Sequence, residues 1–334
     1  MGFLRFFLAS LVLVSHMDVT VQGLNPGVVA VVTFYLLAGQ VVCRLWERQS
    51  RLAFGKRLAW FYRDRFWRIA PMYGFVLTVG LGPWLLGANA YFLSASPGVT
   101  DWLNNLSVIP LNYYMFNGAD RFTLLPPAWS LAAELQFYIL VPFLLAKTWR
   151  LWLAGCASLA VFTLAQTPLL NTDVFGYRLL AGVGFIFIIG GWIPAGPPRP
   201  ELRLRQRALV GLWLGLAVYV ALLYELPAWR QPYNMEVALG LVLGLPAVAV
   251  LSRWKPKGAL HRAQRLAGAL SYGVFLAHFP VIWLLELWRP ALSESVPAVI
   301  TGSTLVALAG HRAVEQPLWA RHRATLARSP QHGR

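Results

Sequence analysis

With 57% of its 334 residues hydrophobic and only 13% charged, the chain carries more apolar surface than one water-facing core of this length can hide. The composition excludes a soluble enzyme, a secreted disulfide scaffold and a disordered chain, and points to an all-α, polytopic integral membrane protein. A formal charge of +16 would suit a nucleic-acid binder, but the basic residues sit in short gaps between apolar runs, so nucleic acid is not an expected partner.

Apolar runs predict about ten transmembrane helices, over 6–22, 27–43, 69–87, 127–146, 151–167, 176–194, 208–225, 235–251, 266–288 and 297–311. The first reads as an uncleaved span, because a second apolar stretch follows it at once. With the N-terminus in the cytoplasm, only Arg121, Arg178, Arg230 and Arg289 of the 29 Lys and Arg fall on the far side, so both termini are expected to be cytoplasmic. The aromatic and basic stretch 45–68 is expected as an amphipathic helix lying at the headgroups, or in part as a grip on an anionic ligand. The external stretch 88–126 is long, nearly uncharged and rich in Asn, Tyr and Pro, which suits either carbohydrate or an interfacial cap. A basic cytoplasmic tail is expected over 312–334. Cys43 and Cys156 read as small core hydrophobes. There is no internal repeat, so 1–334 reads as one membrane-embedded domain.

Ionisable groups inside spans are costly, and each is a candidate for function. Arg5 and His16 are eleven positions apart, close to three turns, so they share one helix face about 16 Å apart along the axis. Asp18 follows near the external end. A lone His on an apolar helix is usually a packing residue; the aligned Arg and a carboxylate elsewhere favour chemistry. That carboxylate is Glu134, two turns into a span entering from outside, at a depth comparable with His16. It either pairs with an Arg or a helix end, or orients and polarises His16 as in a general-base pair. Ser130, one turn earlier, is a supporting donor or merely a cap. Arg65 and Arg68, three residues apart where the third span begins, suit phosphate through forked hydrogen bonds, although membrane anchoring predicts basic residues there too. His278, mid-span, is a second candidate for the cavity. Glu225, Glu236 and Glu286, at span ends, read as structural.

Taken together these stretches resemble the acyltransferase family 3 of membrane O-acyltransferases, from end to end. The carriers are Arg5-x10-His16; Thr33-Phe-Tyr-Leu-Leu-Ala-Gly-Gln, with Ala38 where the family usually has Ser; and Arg65-Phe-Trp-Arg-Ile-Ala-Pro-Met-Tyr. Trp129-Ser-Leu-Ala-Ala-Glu-Leu-Gln-Phe-Tyr, Ser271-Tyr-Gly-Val-Phe-Leu-Ala-His-Phe-Pro and Val314-Glu-Gln-Pro complete the set. Ala38 and Gln40 depart from the pattern outside the proposed catalytic residues. The resemblance implies a bacterial inner-membrane enzyme, without a metal, that moves an acyl group, commonly acetyl from acetyl-CoA, to a hydroxyl of an exported or surface carbohydrate. It implies that coenzyme A meets Arg65, Arg68 and Arg5, and that neutral His16 takes the acceptor proton while Glu134 stabilises the imidazolium. A transient acetyl-His is the alternative route. Ser130, Tyr35 and His278 are the candidates for holding the oxyanion. Because the chain stops about 23 residues after its last expected span, it resembles the stand-alone members of the family. The competing readings are a transporter that uses His16 and Glu134 as a proton relay, and a non-catalytic scaffold.

Overall fold

Helices stand at all ten expected positions in the structure, a computed structural model that describes residues 1–194 and 203–321. In chain order they are α1 (Gly2–Ser15), α2 (Pro26–Arg48), α3 (Phe54–Leu85), α4 (Val99–Ser107), α5 (Tyr114–Asn117), α6 (Ala128–Leu145) and α7 (Thr148–Ala165). Then come α8 (Leu180–Trp192), α9 (Arg203–Glu225), α10 (Asn234–Leu251), α11 (Gly258–Trp288), α12 (Pro290–Ser293) and α13 (Val296–Gly310). No strand occurs among the described residues, only an isolated bridge between Val21 and Leu24. Seven of the described helices are long and apolar enough to cross a membrane: α2, α6, α7, α8 with the turn before it, α9, α10 and α11. Arg199 and the tail residues 322–334, both counted in the charge argument, lie outside the described residues.

The first helix is shorter than its apolar run. It stops at Ser15, not at residue 22, because the chain then turns through Asp18 and Gln22, both at positive φ, and closes the Val21–Leu24 bridge. Val19-Thr-Val21 is β-branched and resists the helix there. Fourteen residues make about 21 Å of helix, less than the roughly 30 Å of a hydrocarbon core. His16 is therefore the C-cap of α1, at a helix end.

At the centre lies α2, in contact with α1, α6, α8 and α10. Asn25 starts it: its side chain accepts from the Gly27 and Val28 amides at 2.9 and 3.3 Å, and Pro26 fills the position where no amide is needed. In lipid, apolar side chains gain nothing by leaving solvent, so close packing has to hold the helices together. Glycine permits it here. A Cβ on Gly39 would strike the Phe187 backbone, and one on Gly190 the Leu36 backbone, so α2 and α8 touch main chain to main chain.

Two connections differ from expectation. Segment 45–68 is not one helix lying at the headgroups. α2 runs through Arg48, the chain turns over residues 49–53, and α3 continues from Phe54 without a break to Leu85. The aromatics lie inside this hairpin: Trp46 and Phe61 are buried edge to face at 5.7 Å, and Arg57 sits 4.0 Å over the Trp46 ring. The stretch 88–126, expected to be external, folds into a cap of short helices held by buried asparagines. Asn105 donates to the Asp101 and Phe122 carbonyls at 2.9 and 3.1 Å and accepts from the Leu124 amide at 2.9 Å. Asn112 donates to the Trp129 and Arg178 carbonyls, each at 3.1 Å. Asn105 thus serves the cap's own backbone, and Asn112 ties the cap to α6 and to the turn before α8. Of the two cysteines, Cys43 is buried as expected, whereas Cys156 is exposed on α7.

Candidate active site

Three cavities follow one another through the bundle. The first, about 190 Å3, gathers Arg5 from α1, Arg65 and Arg68 from α3, and Glu134 from α6. All three arginines expected to meet an anionic donor line this one space. Their freedom differs. Arg65 pairs with Asp64 at 2.6 Å, and Arg68 pairs with Glu315, which also holds His311 at 2.6 Å. Glu315 ends a π-helical turn, His311–Glu315, that follows α13. Arg5 has no such partner among the described residues. Tyr35 and Tyr272, on the same wall, each bury a hydroxyl that meets no hydrogen-bond partner. Orphaned hydroxyls beside cations are what a polar ligand would satisfy. The volume is below the ~300–1,000 Å3 that encloses a drug-sized ligand.

The second cavity, about 140 Å3, shares Val31, Ser130 and Phe275 with the first and brings in His16, Trp129, Tyr177 and Arg178. The third, about 260 Å3, shares His16, Trp129 and Arg178 with the second and adds Tyr91, Phe92, Tyr114 and Asp120 from the cap. His16 is exposed and faces both.

The partner expected for His16 is Glu134; the structure gives His278 instead. His16 Nδ1 lies 3.0 Å from His278 Nε2, with the ring centroids 5.1 Å apart and 15° between the ring planes. Glu134 takes the Tyr138 hydroxyl one turn along α6 and sits among the arginines of the first cavity. The pairing is corrected for a topological reason: α1 packs along α11, which carries His278, so the end of α1 meets α11. His278 is corrected in turn. It is wholly buried and lines none of the three cavities, so it acts behind His16. Its Nδ1 is buried without a hydrogen-bond partner. With the proton on His16 Nδ1, donated to His278 Nε2, the lone pair of His16 Nε2 is left to take a proton.

Ser130 lines the first two cavities, but its hydroxyl is already donated to the Pro127 carbonyl at 3.1 Å, and it does not cap α6. Tyr35 faces the arginines and not His16. Arg178 is the residue that sequence reasoning missed. It counted only as one of four external cations, yet it lies at the wall common to the second and third cavities, paired with Asp173 at 2.8 Å. The available signal was an Asp-Val-Phe-Gly-Tyr-Arg run on the side where basic residues are scarce.

The sequence profile of a family described as an acyltransferase domain, Acyl_transf_3, matches residues 2–311. An uncharacterised protein of Aquifex aeolicus (strain VF5) is 31% identical over 182 residues, 54% of this chain and 80% of that protein. Peptidoglycan O-acetyltransferase OatA of Listeria monocytogenes serovar 1/2a is 24% identical over 87% of this chain, and the chain spans about half the length of that relative (51%). No solved structure matches.

Proposed function

The chain belongs to the Acyl_transf_3 family of acyltransferases, and from that premise we propose that it is a membrane O-acyltransferase carrying acetyl from acetyl-CoA to a carbohydrate hydroxyl. In this reading the donor arrives from the cytoplasm and the acceptor is an exported or surface glycan. The protein sits in a bacterial inner membrane with ten crossings and both termini cytoplasmic. The observation that carries the proposal is the row of cavities, with arginines at one end, aromatic rings at the other, and His16 on the wall between the second and third.

The chemistry follows from the residues. Arg5, Arg65 and Arg68 attract the phosphates of the donor, and the thioester reaches in past Ser130 toward His16. His16, held at Nδ1 by His278, takes the acceptor's proton at Nε2 as the hydroxyl oxygen attacks the thioester carbonyl. An O–C bond forms, the C–S bond breaks, and the imidazolium returns the proton to the departing thiolate. Glu134 balances the arginine charge and fixes Tyr138; it does not touch His16. The aromatic lining of the third cavity gives sugar rings flat apolar faces, with Asp120 available for hydroxyls. An O-acetyltransferase of peptidoglycan among the relatives supports an envelope glycan as acceptor.

The test is ester-linked acetyl on total envelope glycan, measured by NMR in cells carrying wild-type protein, His16→Ala, Arg65→Ala or no copy, with membrane levels matched. His16→Ala is expected at the no-copy level. Arg65→Ala is expected to raise the KM for acetyl-CoA in isolated membranes. Wild-type acetylation by His16→Ala would overturn the catalytic assignment, and unchanged acetyl without the gene would overturn the glycan acceptor.

A further inference from the structure

We propose that Arg178 is the oxyanion donor of this site, its free guanidinium N–H groups holding the carbonyl oxygen that becomes negative when the acceptor attacks. The inference rests on the acyl-transfer reading above. Location comes first: Arg178 and His16 both line the second and third cavities, so a carbonyl attacked beside His16 lies where the guanidinium can reach it. The donors are available. Only Nε is engaged, by Asp173 at 2.8 Å, and neither Nη has a hydrogen-bond partner among the described residues.

The group is also held still. Its cation lies over four rings, Trp129 at 4.6 Å, Tyr177 at 5.1 Å, Tyr114 at 5.4 Å and Tyr233 at 5.9 Å. Its backbone closes the π-helical turn Val174–Arg178, and its carbonyl accepts from Asn112 at 3.1 Å. With a side chain 13% exposed, it is no headgroup anchor. The other candidates are used or misplaced: Ser130 donates its hydroxyl to the Pro127 carbonyl, Tyr35 faces the first cavity, and His278 is behind His16. A cation fixed before the reaction, in a site of low dielectric, stabilises a developing negative oxygen without reorganising. When the acceptor oxygen bonds to the carbonyl carbon, the charge appears on the carbonyl oxygen and is met by the Nη hydrogens. When the C–S bond breaks, the charge leaves on sulfur and is quenched by the His16 proton.

The experiment uses full-length protein in membranes, acetyl-CoA, and the glycan fraction that the wild type acetylates. Arg178→Ala is expected to lower kcat about 10²–10³-fold with the KM for acetyl-CoA little changed, and added guanidinium ion to restore part of kcat. Arg178→Lys, which keeps the charge and serves if the alanine variant inserts poorly, is expected to lose at least about tenfold, because a point ammonium lacks the planar fork. A kcat within threefold of wild type in both variants would overturn the proposal. So would a loss accompanied by weakened donor binding and lowered thermal stability that guanidinium does not restore, since that marks a structural arginine. A wild-type protein that transfers no acetyl fails differently, because it removes the acyl-transfer reading itself.

Discussion

Replacing His278 by Phe isolates the contribution of one hydrogen bond to the reactivity of His16. The position is wholly buried, and a phenyl ring fills it with an apolar ring beside Phe279. What disappears is the Nε2 acceptor, 3.0 Å from His16 Nδ1. A neutral hydrogen bond contributes about 1 kcal/mol net, or about fivefold in rate if it is fully expressed in the transition state. Without the acceptor, the His16 proton sits on either nitrogen, which costs about another factor of two in the productive tautomer. The expectation is a kcat about tenfold below wild type, with the KM for acetyl-CoA unchanged, because the arginine cavity is untouched. Initial rates at saturating acetyl-CoA, in membranes with matched protein, measure it. The double variant His16→Ala/His278→Phe should be no slower than His16→Ala alone, since His278 acts only through His16. A His278→Phe rate within twofold of wild type, or a double variant slower by a further tenfold, would refute this reasoning.

Glu315→Ala releases Arg68 and His311 from the carboxylate they share. Because Arg68 is about a third exposed, the loss should be about 2 kcal/mol, less than for a fully buried pair, read as a lower melting temperature in nanodiscs together with a higher KM for acetyl-CoA. Tyr114, in the cap formed by 88–126, has its phenol pushed up to about 12 by burial. The unfolded chain therefore loses this proton first, and stability falls as pH rises from about 10 to 12. Tyr114→Phe should flatten that part of the melting-temperature profile against pH, and an unchanged slope would assign the alkaline loss to another group.

What the sequence made legible was local along the chain. Arg65 and Arg68 announced themselves by a three-residue spacing at a span's start, and hydropathy located a helix at every expected span. The arginine cavity needed only that these helix ends converge, which they do with Arg5. The His16 partnership was not legible, because it joins positions 262 apart and depends on which helix packs against α1. A buried carboxylate looked like the natural companion for a histidine, yet depth alone does not set azimuth, and Glu134 points among cations. Hydropathy also overran the end of α1, since Val19 and Val21 are as apolar in a turn as in a helix. Arg178 was hidden by the counting that oriented the protein: a cation used to assign a side of the membrane was not weighed as a cation in a cavity.

The three residues shared by the first and second cavities have a further consequence. If the two substrates approach from opposite faces of an energised membrane, as proposed, the path between them must not become a pore. Each elementary charge that leaks across 100 mV dissipates about 2.3 kcal/mol. Val31 and Phe275, with the hydroxyl of Ser130 turned back onto its own helix, line both the arginine cavity and the histidine cavity, and what they present there is mostly hydrocarbon. A boundary of that kind offers a hydrated ion little to replace its water shell. In the proposed reaction the uncharged thioester arm is the part that would have to pass it, so the same three residues would insulate one side of the membrane from the other between turnovers.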